Sequence, residues 1–353
     1  MEKIYDAVVI GSGPAGAAFL YSVPASYKIA SISKKASRKV CGGLLSPSSV
    51  KVLSEMNLTV PDDIYAKPSI RVIRTIDLGS GISRYYPRNY LNVDRYKFDS
   101  WLVSLSSEKV DSYYGVCIGF EKVGDLYHAF YKSDSETHCI KCRSIIGADG
   151  ANSVVRRRLF KETSRKDVYT AIQQWFNSDE CEGHEGDDGF SCVFDNSVSD
   201  SYAWSFTKDG KIAFGGAYPK KNSRERFENE KKKLSDRGIK FGEPLETEAC
   251  TVVFGKDFQK FVLGAKNERI YLVGEAAGLI SPSSLEGISS ALISGSVLGK
   301  MFDPNKNLLS KYSKELLGLK LKLTAKRFKS AVLCSPFLRF LIMKSGITSV
   351  KKK

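Results

Sequence analysis

Histidine is scarce in this chain: His128, His138 and His184 are the three in 353 residues. His128 and His138 fall in alternating, strand-like runs, and His184 lies in a loop of Gly, Asp and Glu. They assemble into no Ser-His-Asp arrangement and no HExxH pattern, which argues against a serine hydrolase or a zinc enzyme. Long apolar runs are missing too, since none reaches the ~18–20 residues that a bilayer-spanning helix needs. The chain opens on a strand-like run rather than a basic and then apolar leader, so a cytoplasmic protein is expected. The eight cysteines (41, 117, 139, 142, 181, 192, 250 and 334) are scattered. Cys139-Ile-Lys-Cys142 is a lone CxxC in an alternating run with no second pair, so reduced thiols and no metal site are expected.

Acidic residues are unevenly absent. None occurs between Asp6 and Glu55, and residues 300–353 hold fourteen Lys or Arg against Asp303 and Glu315, a net +12 of the chain's +15. Such a tail points to an anionic surface acting on that segment alone. Residues 316–323 are rich in Leu and Lys, and Phe337-Leu-Arg-Phe-Leu-Ile-Met follows Pro336. Residues 301–353 therefore read as a basic helical segment. It either lies on anionic lipid at the inner face of a membrane or packs on the body with a solvated basic side. No aromatic-interleaved module suggests nucleic acid.

The densest pattern is Ile4–Leu20. A β-branched run, Asp6–Ile10, enters Gly11-x-Gly13-x-x-Gly16 and then small residues that suit a helix. Gly11 permits a tight turn, Gly13 lets backbone approach a pyrophosphate, and Gly16 lets the helix lie close on the strand. The helix start, Pro14-Ala15, then presents its N–H end to phosphate charge. A second strand, Tyr27–Ser33, ends in Ser33 where a dinucleotide fold usually places an acid on the ribose. Lys34, Lys35 and Arg38 follow. Either Ser33 makes a weaker ribose contact, or the cations accept a 2′-phosphate.

Further along, Cys41-Gly42-Gly43 lets backbone pass close to a flat ring or a phosphate, as a plain turn also would. Ser69–Tyr86 alternates as a hairpin around Gly79-Ser-Gly81, and Asp94-Arg95 opens a helix where Arg95 is a candidate phosphate clamp. Three strand-like runs precede Gly147-Ala148-Asp149-Gly150, after which Ser153 is a candidate helix cap; Asp149 has the chemistry to accept hydrogen bonds from a ribose or a water. Between 167 and 260 the pattern is mostly β. Tyr202-x-Trp204-x-Phe206 puts three aromatics on one face, and Ser223–Arg237 reads as a solvated charged helix. A second buried strand then ends in Gly274-Glu275-Ala-Ala-Gly278, leading through Pro282 and Glu286-Gly287-Ile288 into a helix.

These three glycine-bearing corners, at 11–16, 147–157 and 274–289, resemble in order and separation the FAD fingerprints of the para-hydroxybenzoate-hydroxylase-like flavoproteins. Cys41-Gly42-Gly43, the Asp94–Leu102 helix and residues 202–218 are similar to the geranylgeranyl reductase branch of that family. The chain carries Glu275 and Thr207 where the motifs usually have Asp and Pro. The resemblance implies an α/β fold: a Rossmann-like FAD-binding domain (1–66, 90–160 and 265–300), an inserted antiparallel-sheet substrate domain (67–89 and 161–264) and C-terminal helices. It favours FAD over NADP at Ser33. It implies FAD contacts from Gly11, Gly13, Pro14, Ala15, Gly16, Ser33, Lys34, Cys41, Gly42, Gly43, Arg95, Asp149, Gly150, Gly274, Glu275, Gly278, Pro282, Gly287 and Ile288. Cys41, Tyr202 and Trp204 are the expected catalytic positions, and Trp175, Tyr202 and Trp204 the expected substrate wall. The implied reaction is reduction of a C=C bond in an isoprenoid by reduced flavin, with NAD(P)H, ferredoxin or another reductant as donor. A flavin monooxygenase and a non-catalytic flavin-binding resistance protein are the alternatives.

Overall fold

A computed structural model describes residues 3–35, 40–160, 168–186, 189–253 and 261–350. At its centre is a five-stranded parallel sheet in the spatial order Ile270–Leu272, Ile145–Gly147, Ala7–Ile10, Ile29–Ser33, Val110–Tyr114. The first three of these strands are wholly buried, which is why their sequences are continuous apolar runs rather than alternating ones. From Ala7–Ile10 the chain steps outward one way, then returns to fill the other side. That reversal leaves a crevice at the carboxyl ends of Ala7–Ile10 and Ile145–Gly147, the usual ligand position in an open parallel sheet.

Helices Pro14–Ser22 and Ile288–Met301 pack on each other over this sheet. Their contact is backbone to backbone: a Cβ at Gly295 would overlap the Ala15 carbonyl oxygen, and one at Gly299 would lie 2.7 Å from that of Phe19. The meander Val116–Val123, Leu126–Ser133 and Glu136–Cys142 pairs antiparallel and takes Ile4–Tyr5 alongside in parallel. Its inner face joins the same apolar core through Tyr127, Ala129 and Ile140.

The second sheet has eight strands, in the order Glu246–Val253, Val168–Asn177, Lys211–Pro219, Ala203–Lys208, Gly189–Phe194, Ile70–Asp77, Ser83–Asn92, Leu44–Leu45. All neighbours are antiparallel except Gly189–Phe194 with Ile70–Asp77. Ser83–Asn92 runs past the boundary expected at 89, and Leu44–Leu45, assigned to the other unit, supplies the edge strand. The helix Ser223–Ser235 departs from the expected solvated helix. It buries Phe227, Glu230 and Leu234 against the sheet, and the Tyr218 hydroxyl donates to Glu230 at 2.6 Å.

Three helices close the chain: Leu309–Glu315, Leu317–Cys334 and Pro336–Ser345. Tyr312, Leu316 and Leu323 tie them to the parallel-sheet core. Arg339 ties the last helix to the large sheet. Its guanidinium is 2% exposed and donates to Asp77 Oδ1 at 2.9 Å, Asn196 Oδ1 at 2.8 Å and the Leu333 carbonyl at 2.7 Å, lying 4.7 Å from the Phe194 ring centre. Among the described residues, no helix is long and apolar enough to cross a membrane.

Removing one partner of a buried pair strands the other charge, so Arg339→Met and Asp77→Asn are each expected to cost about 3–5 kcal/mol of unfolding free energy in urea. Burial pushes the Asp77 carboxyl up, but Arg339, Ser80 and the Gly79 N–H outweigh it and hold it below its ordinary value. The pair's contribution is therefore present at neutral pH and falls away as pH drops below about 4, a loss that urea titrations of Arg339→Met will not show.

Candidate functional site

The three corners predicted from sequence meet at the crevice. Gly11 has φ +101°, and a Cβ there would lie 2.5 Å from the Ala148 carbonyl oxygen. A Cβ at Gly16 would overlap the Gly11 carbonyl oxygen. Gly13 differs: nothing lies within 4 Å of where its Cβ would be. Gly11 and Gly16 are thus glycines for close packing, whereas Gly13 is bare toward open space at the start of a helix whose cap carries no side-chain bond. Asp149 follows Ala148, the residue whose carbonyl Gly11 packs against. Its Oδ2 accepts from the Val154 N–H at 2.6 Å and the Val155 N–H at 3.3 Å, opening the helix Val154–Phe160 together with Ser153, whose hydroxyl takes the Arg156 N–H. Asp149 Oδ1 is buried with no hydrogen-bond partner among the described residues, and burial pushes this carboxyl up. A buried acceptor left unmade is costly, and a polar ligand group in the crevice would relieve it. Glu275 flanks the same space, its Oε2 3.9 Å from a Cβ position at Gly150.

A cavity of about 260 Å³ runs from this cradle to the large sheet. Gly13, Pro14, Ala15, Cys41, Gly42 and Arg95 line it, with Gly150, Glu275, Gly287 and Ile288 from the later corners. Tyr202, Trp204 and Phe206 form the aromatic wall, joined by Phe190, which stacks on Phe206 at 6.0 Å. Tyr202 donates to the Ser284 carbonyl at 2.7 Å and Trp204 Nε1 to Gln173 Oε1 at 2.9 Å. Burial holds the Tyr202 phenol far above its ordinary value, so it remains a protonated donor.

Several expected contacts fall elsewhere. Trp175 lies outside the lining; its indole donates to Glu248 at 2.9 Å and its ring stands edge-on to Phe206. Arg95 lines the cavity, but its guanidinium fork is committed to Asp99 at 2.7 and 3.0 Å and also contacts Cys41. It is a buttress for the Cys41 turn rather than a free phosphate clamp. Ser33 and Lys34 sit at the end of their strand beyond the lining, Lys34 exposed; Arg38 lies outside the described residues. Gly43, Gly274 and Gly278 have φ of +68°, +58° and +77° and shape turns behind the cavity, and Pro282 borders it from outside.

Two residues of the site escape a reading of the sequence. Lys208 reaches under the Cys41-Gly42-Gly43 turn, donating to the Gly42 carbonyl at 2.6 Å and the Val93 carbonyl at 2.8 Å. Burial pulls its amine down to about 8, against the pull of Cys41, Asp94 and Asp209. In the sequence it is one cation of a Lys-Asp-Gly turn, far from residue 42. Glu286 lines the cavity and gathers hydroxyls from Ser46, Ser49 (3.4 Å) and Ser289 (3.2 Å), fastening the loop 281–287 to the start of helix Pro47–Glu55. Its position before Gly287 is visible in the sequence; its partners Ser46 and Ser49, some 240 residues away, are not.

The parallel sheet with its glycine cradle and attached antiparallel sheet has the para-hydroxybenzoate-hydroxylase-type flavoprotein fold. Among solved structures, a geranylgeranyl bacteriochlorophyll reductase-like protein of Thermoplasma acidophilum matches with TM-score 0.77 at 20% identity, covering 97% of this chain and 91% of that one. The flavin-dependent brominase Bmp2, as a triple mutant, matches with TM-score 0.71 at 17% identity over 97% and 92%. No protein-family model matches the chain. Protein CbrA of Escherichia coli O6:H1 is 39% identical over 355 residues, spanning 98% of this chain and 94% of that protein. The chain belongs to the CbrA family.

The glycine geometry separates two kinds of variant. Gly13→Glu is expected to fold with its apoprotein melting temperature unchanged while losing visible flavin absorbance on purification or reconstitution. Gly16→Ala forces backbone apart and is expected to lose about 1–3 kcal/mol in denaturant titration. A third expectation concerns Lys208. The folded amine releases its proton near pH 8 and the unfolded one near 10.5, so the unfolded chain binds more protons between them and stability rises with pH there. Relative to Lys208→Met, the native chain gains stability from pH 8 to about 10.5; parallel curves for the two proteins would refute the assignment.

Proposed function

We propose that the chain is an FAD-dependent oxidoreductase that reduces carbon–carbon double bonds of an isoprenoid or similarly apolar substrate. The observation that carries this reading is the bare cradle at Gly13, which lines an aromatic-walled cavity together with Gly150 and Glu275. Gly13 and the N–H groups opening helix Pro14–Ser22 would hold the pyrophosphate, Glu275 and Asp149 the sugar and ribityl hydroxyls, and the Cys41–Gly42 turn would lie along the flat ring. When bound and reduced, FAD supplies a hydride to one alkene carbon.

The protein's own part is position and dryness. Phe190, Tyr202, Trp204 and Phe206 present ring faces and edges where an apolar chain gains by leaving water. The polar ends of Tyr202 and Trp204 are turned away onto Ser284 and Gln173, so they ask no hydrogen bond of a substrate. Lys208 holds the Cys41 turn through the Gly42 and Val93 carbonyls, and the charge of Arg95, which lines the cavity, is paired with Asp99. The second hydrogen of the product arrives as a proton from solvent, and the electrons come from an external donor such as NAD(P)H or ferredoxin.

The test is anaerobic incubation of the dithionite-reduced holoprotein with polyprenyl phosphates in deuterated water, read by mass spectrometry. The expected product gains two deuterium atoms per reduced bond, because dithionite supplies only electrons and both hydrogens of the reduced flavin pathway are drawn from solvent. Oxygen-dependent donor oxidation with incorporation of an oxygen atom would instead favour a monooxygenase. Flavin binding with no turnover across the substrate panel would leave a binding protein.

A further inference from the structure

The C-terminal helices carry apolar side chains on the side that faces away from the body. On helix Leu317–Cys334 the buried direction is set by Leu323, with Leu316 and Leu319 packed beside it and the Ser330 hydroxyl donating to the Pro282 carbonyl at 3.0 Å. Leu317, Leu321 and Phe328 lie on the opposite side at helical spacing, 52%, 62% and 63% exposed. On helix Pro336–Ser345 the buried side is Arg339 and Met343, and Phe337 and Leu341 stand outward at 68% and 46%. Large apolar side chains presented in rows, rather than singly, mark an interaction surface.

Charge decides the occupant. No acidic residue follows Glu315, while ten Lys or Arg do, of which Arg339 is neutralised inside the fold. Lys322 and Lys329 flank the apolar row along one side of the helix. Lys326, between them in sequence, lies within electrostatic reach of Lys322, Lys329, Arg88 and Glu286. A second copy docking through this face would bring like charge against like charge. A bilayer with anionic headgroups satisfies both features at once: acyl chains take the apolar row, and headgroups take the lysines beside it.

We propose that the outer face of helices Leu317–Cys334 and Pro336–Ser345 docks on an anionic lipid bilayer. The face adjoins the cavity, because Ser330 holds Pro282 at the loop that carries Ser284 to Gly287, and Lys322 reaches Ser48 at 3.2 Å. Docking requires no particular substrate or reaction and stands whether or not the reductase reading holds.

The experiment is co-sedimentation of the full chain with vesicles of phosphatidylglycerol and phosphatidylethanolamine, against vesicles of phosphatidylcholine alone, at low and high salt. Binding to the anionic vesicles is expected to be at least about tenfold tighter and to weaken with salt. The double variant Phe328→Glu with Phe337→Glu, at positions 63% and 68% exposed, is expected to lose at least about tenfold while keeping its thermal transition. Lys322→Glu with Lys329→Glu is expected to remove the preference for anionic lipid, and carries the test should the first variant unfold. The proposal is overturned by failure of the native chain to bind anionic vesicles at low salt, by undiminished binding of the variants, or by a concentration-dependent dimer that Phe328→Glu with Phe337→Glu abolishes.

Discussion

The closest contacts in this molecule are between backbones, and everything at the site follows from them. Helix Pro14–Ser22 is wedged between the parallel sheet and helix Ile288–Met301, and at each meeting one partner has no Cβ: Gly16 against the Gly11 carbonyl, Gly295 against Ala15, Gly299 against Phe19. Ala15, Ala17 and Ala18 complete an interface in which the side chains are little larger than a methyl group. At this separation the N-terminal ends of both helices reach the same crevice. A helix held a methyl group farther out would aim its N–H groups past the ligand rather than at it. The cradle is thus a by-product of packing, and Gly13 alone is spared from it.

The rest of the site depends on polar ties between segments distant in sequence. Asn92 donates to the carbonyls of Pro68 and Thr207, Lys208 to those of Gly42 and Val93, and Tyr202 to that of Ser284. The Asn92–Thr207 tie joins two strands within the large sheet, and the ties of Lys208 and Tyr202 join that sheet to the turns at 41–43 and 281–287, which line the cavity. Because these donors act on main-chain carbonyls, they constrain where the chain goes rather than which side chain stands there.

Local pattern makes the nucleotide corners legible. Strand, glycines and helix follow one another within twenty residues at Ile4–Leu20, and each glycine's task can be argued from turn geometry and close approach alone. The aromatic period of Tyr202, Trp204 and Phe206 is legible for the same reason, since alternation along a strand needs no partner to be seen. Trp175 shares the face of Phe206, in register with it through Ala213, but only Phe206 lines the cavity; a sequence shows which face an aromatic takes and not how far along that face a cavity extends. Arg95 reads as a clamp only while its partner Asp99, one helical turn on, is not weighed against a phosphate. Lys208 and Glu286 are illegible in kind. Their roles rest on contacts made across 166 and 240 positions, and no local rule couples such sites. The helix Ser223–Ser235 looks solvated because three buried residues among ten polar ones barely raise its apolar signal.

The ion pair of Arg339 with Asp77 also settles how the end of this chain must be handled. The last helix is fastened into the large sheet by a cation with no route to water, so it belongs to the folded body and is no appendage. A chain cut before Pro336 would open a slot in the sheet and leave its carboxylate facing Phe194 and Asn196 with nothing to neutralise it. Any loss of behaviour in such a shortened protein would report damage to the sheet as readily as absence of the tail, and only single-residue changes on the outer surface can tell the two apart.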